Sequence, residues 1–283
     1  MHYYIVIPAY NEESFILKTL ESLASQTLIP KKVVVVDDNS TDQTAQIVTN
    51  FAQKHDWISL ISKTSEAIHL PGSKVIQAFQ KGLENLDENF DIIVKLDADL
   101  ILPPDYFEKI ISVFKNDPAV GMAGGFAYIE KNSQWILENL TDKDHIRGAF
   151  KAYRKECFNQ IGGLQPAMGW DTVDELLSKF YNWKVITVPE LKVKHLKPTG
   201  ANYNQTARYK QGEAFYTLGY GFLISAIASA KLSMLKKKPL LFFDYIRGFL
   251  KAKSANKRML VTPEQAKFIR SYRMQKMKSK ITG

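Results

Sequence analysis

Four consecutive valines, Val33 to Val36, framed by Lys31-Lys32 and Asp37-Asp38, constrain this chain more than any other stretch. A strand with one wet face alternates apolar and polar residues, whereas a run apolar at every position has both faces covered, as in the parallel sheets of α/β proteins. Its neighbours repeat the pattern: Tyr3 to Pro8, Ile58 to Ser62 and Ile92 to Leu96 read as further buried strands. Helical patterns lie between them. The first has an apolar face of Phe15, Ile16, Leu17, Thr19, Leu20 and Leu23 and ends near Gln26, before Pro30. The second follows the capping sequence Asn39-Ser-Thr-Asp42 and runs to about Lys54, and the third runs from Val75 to about Leu86. Strand and helix in alternation predict an α/β fold whose functional positions are the carboxyl ends of the strands, here Pro8 to Glu12 and Asp37 to Ser40.

The strand Ile92 to Leu96 runs into Asp97-Ala98-Asp99. Carboxylates spaced i,i+2 at a strand end point the same way. Two aligned carboxylates suit Mg²⁺ or Mn²⁺, which are held by one or two acids and complete their octahedra with water and substrate phosphates. Taken alone, such a triplet is more often a solvated turn. Two other nucleotide signatures are excluded: Leu70-Pro-Gly-Ser-Lys74 lacks the full P-loop pattern, and no G-x-G-x-x-G follows any strand. Lys74 at a helix start could face phosphate or simply be exposed.

The ordered set Pro8-Ala-Tyr-Asn-Glu12, Val35-Val-Asp-Asp-Asn-Ser-Thr-Asp42 and Leu96-Asp-Ala-Asp99 resembles the family 2 glycosyltransferases with the GT-A fold, over about residues 1 to 200. The resemblance implies a Rossmann-like mixed sheet flanked by helices and transfer from a UDP- or GDP-linked sugar with inversion. It also implies that Asp97, Ala98 and Asp99 meet the ribose and the metal-diphosphate, with Asp99 a direct ligand. Asp38 and Asp37 would meet base and ribose alongside Pro8, Tyr10 and Glu12. His195 matches a position where the family often adds a metal ligand, and imidazole favours Mn²⁺ over Mg²⁺. Lys197 would help hold the diphosphate.

The resemblance continues: Gly121-Met-Ala-Gly-Gly125 resembles the family's strand after the metal motif, and Arg147 to Arg154 through Ile161-Gly-Gly-Leu164 resembles its acceptor-side segment, the glycines themselves reading as turns. The family's general base stands in a Glu-Asp pair ahead of a Gly-Tyr or Gly-Trp. Asn182-Trp183 takes the place of that dipeptide here, and counting back eleven from Asn182 reaches Asp171, preceded by Trp170 in place of Glu. Aligning on Asp174-Glu175-Leu176 moves the base to Glu175. Asp171 also reads as the N-cap of a helix over Thr172 to Tyr181.

Charge divides the chain into a catalytic domain, 1–203, and a basic helical tail, 204–283. The first holds 21 Lys+Arg against 26 Asp+Glu and the second 17 against 3. Such a tail is attracted to an anionic surface. It carries no recognisable nucleic-acid module, and phospholipid is the expected partner, with packing on the catalytic domain or on a second subunit as the competing explanation. Ala214 to Ala230 has no charge but is too short and too interrupted to span a bilayer. Leu240 to Lys251 sets Phe242, Phe243, Ile246, Phe249 and Leu250 against Asp244, Arg247 and Lys251, the pattern of an interfacial or a domain-packing helix. One cysteine, Cys157, excludes an internal disulfide, and no charged-then-apolar leader precedes the first strand, so a cytoplasmic location is expected. The basic tail would make the enzyme membrane-peripheral, and with that placement the family resemblance implies a saccharide or lipid-linked saccharide acceptor. A metal-dependent nucleotidyltransferase and a non-catalytic nucleotide-sugar-binding scaffold are the alternatives.

Overall fold

The computed structural model describes residues 1–63, 72–138, 144–197 and 208–282. Leu70 and Pro71 ahead of Lys74, and the domain boundary expected at residue 203, lie outside these. The chain forms two compact units, Met1–Pro166 with Tyr181–Thr199, and Ala167–Phe180 with Gly200–Gly283. The second unit thus takes in a stretch from within 1–203.

In the first unit, β1 (Tyr3–Ala9), β2 (Lys32–Asp37), β3 (Ile58–Ser62) and β4 (Ile92–Leu96) alternate with α1 (Ile16–Ala24), α2 (Thr44–Ala52) and α3 (Ser73–Glu84). These are followed by β5 (Leu100–Ile101), α4 (Tyr106–Asn116), β6 (Val120–Lys131), β7 (Gln134–Leu137), β8 (Phe150–Arg154), α5 (Lys155–Gln160) and β9 (Lys184–His195). The sheet runs β3-β2-β1-β4-β8-β6-β9-β5, with β7 on β6. Strands β1 to β4 are parallel, and β8 is antiparallel to both β4 and β6, which makes the sheet mixed. Every residue of β1 and β4 is buried, and so is β2 from Val33 onward, as their unbroken apolar sequences require. Strand β1 lies between β2 and β4, so the chain moves outward from it in both directions. The crevice at the carboxyl ends of β1 and β4 is therefore the topological switch point of the sheet.

Gly121-Met-Ala-Gly-Gly125 does form a strand, so Gly121, Gly124 and Gly125 lie inside β6 and not in turns. A Cβ on Gly124 would sit 2.3 Å from Ile146 Cγ2, and one on Gly125 would sit 2.3 Å from the Leu191 carbonyl oxygen, so glycine is required there by close packing. Gly162 and Gly163, with φ of 79° and 71°, are the turn glycines.

The second unit is helical: α6 (Trp170–Phe180), α7 (Arg208–Thr217), α8 (Gly221–Leu235), α9 (Leu241–Ser254) and α10 (Pro263–Thr282). Helix α6 starts at Trp170, so Asp171 lies in its first turn and is not its cap. It packs on α10 through Phe180 and Phe268, ring centroids 5.5 Å apart. Helices α7 and α9 meet at their backbones, because Gly212 faces the Tyr245 carbonyl and Gly248 faces the Tyr209 carbonyl with no side chain between. The apolar stripe expected on α9 is accordingly split: Tyr245 and Phe249 are buried, whereas Phe243 and Leu250 are exposed. Among the described residues no helix is long and apolar enough to cross a membrane.

Candidate active site

The loop after β1 and the loop after β2 lock together. Asn11 and Asn39 take left-handed conformations, φ 53° and 64°, which asparagine tolerates better than most residues. The Asn11 N–H donates to Ser40 Oγ (2.9 Å), and Asn11 Oδ1 accepts from the Thr41 N–H (2.8 Å). The Glu12 N–H donates to Thr44 Oγ1 (2.8 Å). These bonds hold Pro8, Tyr10 and Glu12 beside Asp37 and Asp38. Pro8 is paired with Val36 in the sheet, and the Tyr10 side chain is 57 % exposed beyond the strand end.

Asp37 is 5 % exposed; its Oδ2 accepts from the Ser40 N–H (3.2 Å), and its Oδ1 is buried with no hydrogen-bond partner among the described residues. Asp38 pairs with Lys63 at 3.4 Å. Glu12 is bonded to Lys197 through Oε1 (2.9 Å), and its Oε2 is likewise buried and unpartnered. Burial raises the pKa of Glu12 against the opposing pull of Lys197, and Asp99 and Asp97 add to the rise.

The Asp97-Ala98-Asp99 turn is fixed from three sides. Thr19 of α1 donates its hydroxyl to the Ala98 carbonyl (2.8 Å) and accepts from the Leu100 N–H (3.0 Å). The Asp97 N–H donates to the Ala149 carbonyl (2.7 Å). Lys95, 2 % exposed, pairs with Asp97 and donates to the Gly148 carbonyl (2.9 Å). The Asp97 side chain keeps 30 % of its surface open, yet enough protein surrounds it that burial raises its pKa despite Lys95. Asp99 meets His195 across the β5–β9 pair, Oδ2 to Nε2 3.3 Å, and His195 Nδ1 lies 3.7 Å from Glu138, which Arg147 holds at 3.1 Å. Burial pulls the His195 pKa down, but the Asp99 and Glu138 carboxylates outweigh it and push it up to about 9.

Carboxylates therefore predominate at the ends of β1, β2 and β4. No three His, Cys, Asp or Glu side chains form a metal cage among the described residues. Asp99 and His195 are a hard oxygen and an imidazole, a two-donor set that fits a cation taking its other ligands from phosphate and water.

Lys74 stands in the first turn of α3, and among the described residues no ion pair joins it to Asp97 or Asp99. Asp171, Asp174 and Glu175 lie on α6 of the second unit. Asp174 and Glu175 are buried, 2 % and 5 % exposed, and the Glu175 N–H donates to Asp174 Oδ1 (2.6 Å). Asp171 is half-buried and near enough to Tyr220 to raise its pKa, after burial, while Arg273, bonded to the Tyr220 hydroxyl at 2.6 Å, lowers it. Sequence reading missed Lys95, Glu138, Arg147 as a carboxylate partner, and the Tyr220–Arg273 pair. Only Lys95 carried a signal, as the one charge in an apolar strand.

Comparison with known proteins places the chain in a family and a fold. The sequence model of glycosyl transferase family 2 matches residues 4–169, more than half of the chain, and the chain belongs to that family. It is 29% identical over 205 residues to a dolichol-phosphate mannosyltransferase of Pyrococcus furiosus, covering 65% of this chain and 54% of that protein. It is 36% identical over 204 residues to the probable glycosyltransferase YdaM of Bacillus subtilis, covering 63% and 46%. The chain thus spans about half the length of these relatives. Among solved structures, the mannosyltransferase PcManGT of Pyrobaculum calidifontis, in complex with GDP-Man and Mn²⁺, superposes with TM-score 0.59 at 18% identity over 98% of this chain and 80% of that one. S. aureus TarS 1-349 in complex with UDP-GlcNAc gives 0.59 at 19% over 81% and 67%. At these identities the likeness is one of fold, the GT-A fold.

Proposed function

We propose that the chain transfers a sugar from a UDP- or GDP-linked donor to a saccharide or lipid-linked saccharide, with inversion at the anomeric carbon. The observation that carries this reading is the pair of buried carboxylate oxygens that have no donor among the described residues, Asp37 Oδ1 and Glu12 Oε2, at the carboxyl ends of β2 and β1. Buried acceptors of this kind call for donors from a ligand, and ribose hydroxyls and a base N–H supply them. Asp37 and Asp38 then meet base and ribose, with Pro8, Tyr10 and Glu12 beside them, and Asp97 and Ala98 meet the ribose and diphosphate. Asp99 and His195 would hold Mn²⁺ or Mg²⁺, which when bound supplies positive charge against the departing diphosphate. Lys197 and Lys74 add cationic groups for the phosphates.

In the reaction the acceptor oxygen bonds to the anomeric carbon as the bond to the diphosphate oxygen breaks, and that oxygen leaves with the electron pair. The acceptor's proton goes to a carboxylate, assigned to Asp171. Asp171 keeps open surface, as a group that must reach an acceptor does, whereas Glu175 is buried. Relatives named as a poly-β-1,6-N-acetyl-D-glucosamine synthase and a dolichol-phosphate mannosyltransferase support polysaccharide or lipid-linked chemistry. The basic second unit supports peripheral attachment to an anionic membrane from the cytoplasmic side.

Titration calorimetry with UDP- and GDP-sugars and Mn²⁺ tests the donor site. Asp99→Ala is expected to abolish metal-dependent binding. Asp171→Asn is expected to leave binding intact and to lower transfer by about 10²–10⁴-fold. Full transfer by Asp171→Asn, with a loss on Glu175→Gln, would move the base to Glu175.

A further inference from the structure

Helix α8 buries serines while exposing large apolar side chains. Its inward side carries Ile224 together with Ser225, Ser229 and Ser233, the serines exposed 0 %, 0 % and 3 %. Their hydroxyls donate to the carbonyls of Gly221, Ser225 and Ser229 at 2.6, 2.6 and 2.8 Å. Its outward side carries Phe222, Leu223, Ile227, Met234 and Leu235, between 42 % and 77 % exposed. A helix surrounded by water turns its leucines inward and its serines outward. The exposure continues past the end of α8, with Leu240 at 76 % and Phe243 at 61 %. Met234, Leu235, Leu240 and Phe243 therefore surround the turn Lys236-Lys-Lys-Pro239, which is closed by the Lys237 N–H to the Met234 carbonyl (2.9 Å) and the Lys238 N–H to the Ser233 carbonyl (3.0 Å).

The charges around this turn identify what covers it. From Lys231 to Lys253 there are seven basic residues and one acid, Asp244. Protein interfaces are depleted of lysine at their apolar centres, so a patch that interleaves exposed leucine, methionine and phenylalanine with three adjacent lysines is a poor match for a protein partner. The boundary of an anionic bilayer offers acyl chains and phosphates within a few ångströms of each other, the pairing this tip presents.

We propose that the α8–α9 tip inserts Met234, Leu235, Leu240 and Phe243 into the headgroup–acyl boundary of an anionic phospholipid leaflet, with Lys237 and Lys238 at the lipid phosphates, while Lys236 bonds the Tyr245 hydroxyl at 3.4 Å. This rests on the membrane attachment inferred above and assigns it to one surface. The inner side of α9, with Tyr245 and Phe249, stays packed on the protein.

Flotation of the full chain with phosphatidylcholine vesicles, with and without phosphatidylglycerol, tests the assignment. The wild type floats only with the anionic vesicles, Met234→Ser with Leu240→Ser lowers binding at least about tenfold, and replacing Lys237 and Lys238 by Gln lowers it about 30-fold. All of these side chains are exposed, so thermal unfolding and slow donor hydrolysis stay at wild-type values. No flotation of the wild type overturns both the attachment and the assignment. Flotation of both variants at wild-type strength overturns the assignment and leaves the attachment standing. A wild-type dimer that the serine variant converts to monomer, with vesicle binding unchanged, assigns the tip to a second copy of the chain and overturns the proposal.

Discussion

Lys95 and Asp97 illustrate how single residues set up the site. A lysine in the middle of a buried strand survives only with its charge answered, and the Asp97 carboxylate and the Gly148 carbonyl answer it. Lys95→Met should destabilise the fold by about 2 kcal/mol, less than for a fully enclosed pair because Asp97 is partly open. Urea unfolding checks this. Asp37→Ala removes the acceptor Oδ1 that we propose for the ligand together with the bond from the Ser40 N–H, and should weaken donor binding about 10- to 100-fold, read by calorimetry, with a small loss of melting temperature from the second. The strand-end acids were legible because a carboxylate ending an apolar run is a local pattern. Glu138 and Arg147 were not, because their relation to His195 depends on how β6, β8 and β9 come together, and nothing near residue 138 in the sequence indicates it.

At the scale of elements, strands announced themselves and their joints did not. The runs at Tyr3, Val33, Ile58 and Ile92 became β1 to β4, since burial on both faces leaves a signature in every residue. The β6 glycines read as turns because sequence gives conformational freedom and close approach the same letter. Thr19 was readable only as part of an apolar helix face, yet its hydroxyl ties α1 to both sides of the Asp-Ala-Asp turn. Thr19→Val leaves the Ala98 carbonyl and the Leu100 N–H without that partner. It should cost about 1–3 kcal/mol and weaken Mn²⁺-dependent donor binding. Thr19→Ser should restore much of both.

The loop between α3 and β4 is anchored by Asp87, which accepts from Lys32, from the Tyr4 hydroxyl (2.7 Å) and from the Asn89 N–H (2.8 Å). Lys32 first, then Tyr4 and Asn89, hold its carboxyl well below the usual aspartate range. The stability this contributes is present above the ordinary aspartate pKa of 3.8 and is lost as pH falls through the lower folded value. Asp87→Asn should flatten the acid side of the stability–pH curve measured by urea unfolding below about pH 4 and leave the slope of its neutral portion as in the wild type.

For the whole molecule, the charge asymmetry was readable in full, but the packing of α6 was not. The carboxylate-rich strand ends and the basic helices belong to different compact units, and α6, with Asp171, packs with the basic one through Phe180 and Phe268. No linear count reveals that, because α6 joins α10 by ring packing between residues far apart in sequence. The α8–α9 tip was legible only as apolar and basic in composition; which side chains stay exposed depends on the close crossing of α7 and α9 at Gly212 and Gly248.

The central claim, that the strand-end acids hold a nucleotide sugar for attack at its anomeric carbon, is tested most directly by the products. The protein is incubated with Mn²⁺ and a panel of UDP- and GDP-sugars, with membrane extract as a source of acceptor, and the released species are resolved by ion-exchange chromatography and mass spectrometry. Release of a nucleoside diphosphate together with sugar attached to acceptor or water, lost in Asp99→Ala, is the predicted result. Release of pyrophosphate, or tight donor binding with no release in the presence of extract, would contradict it.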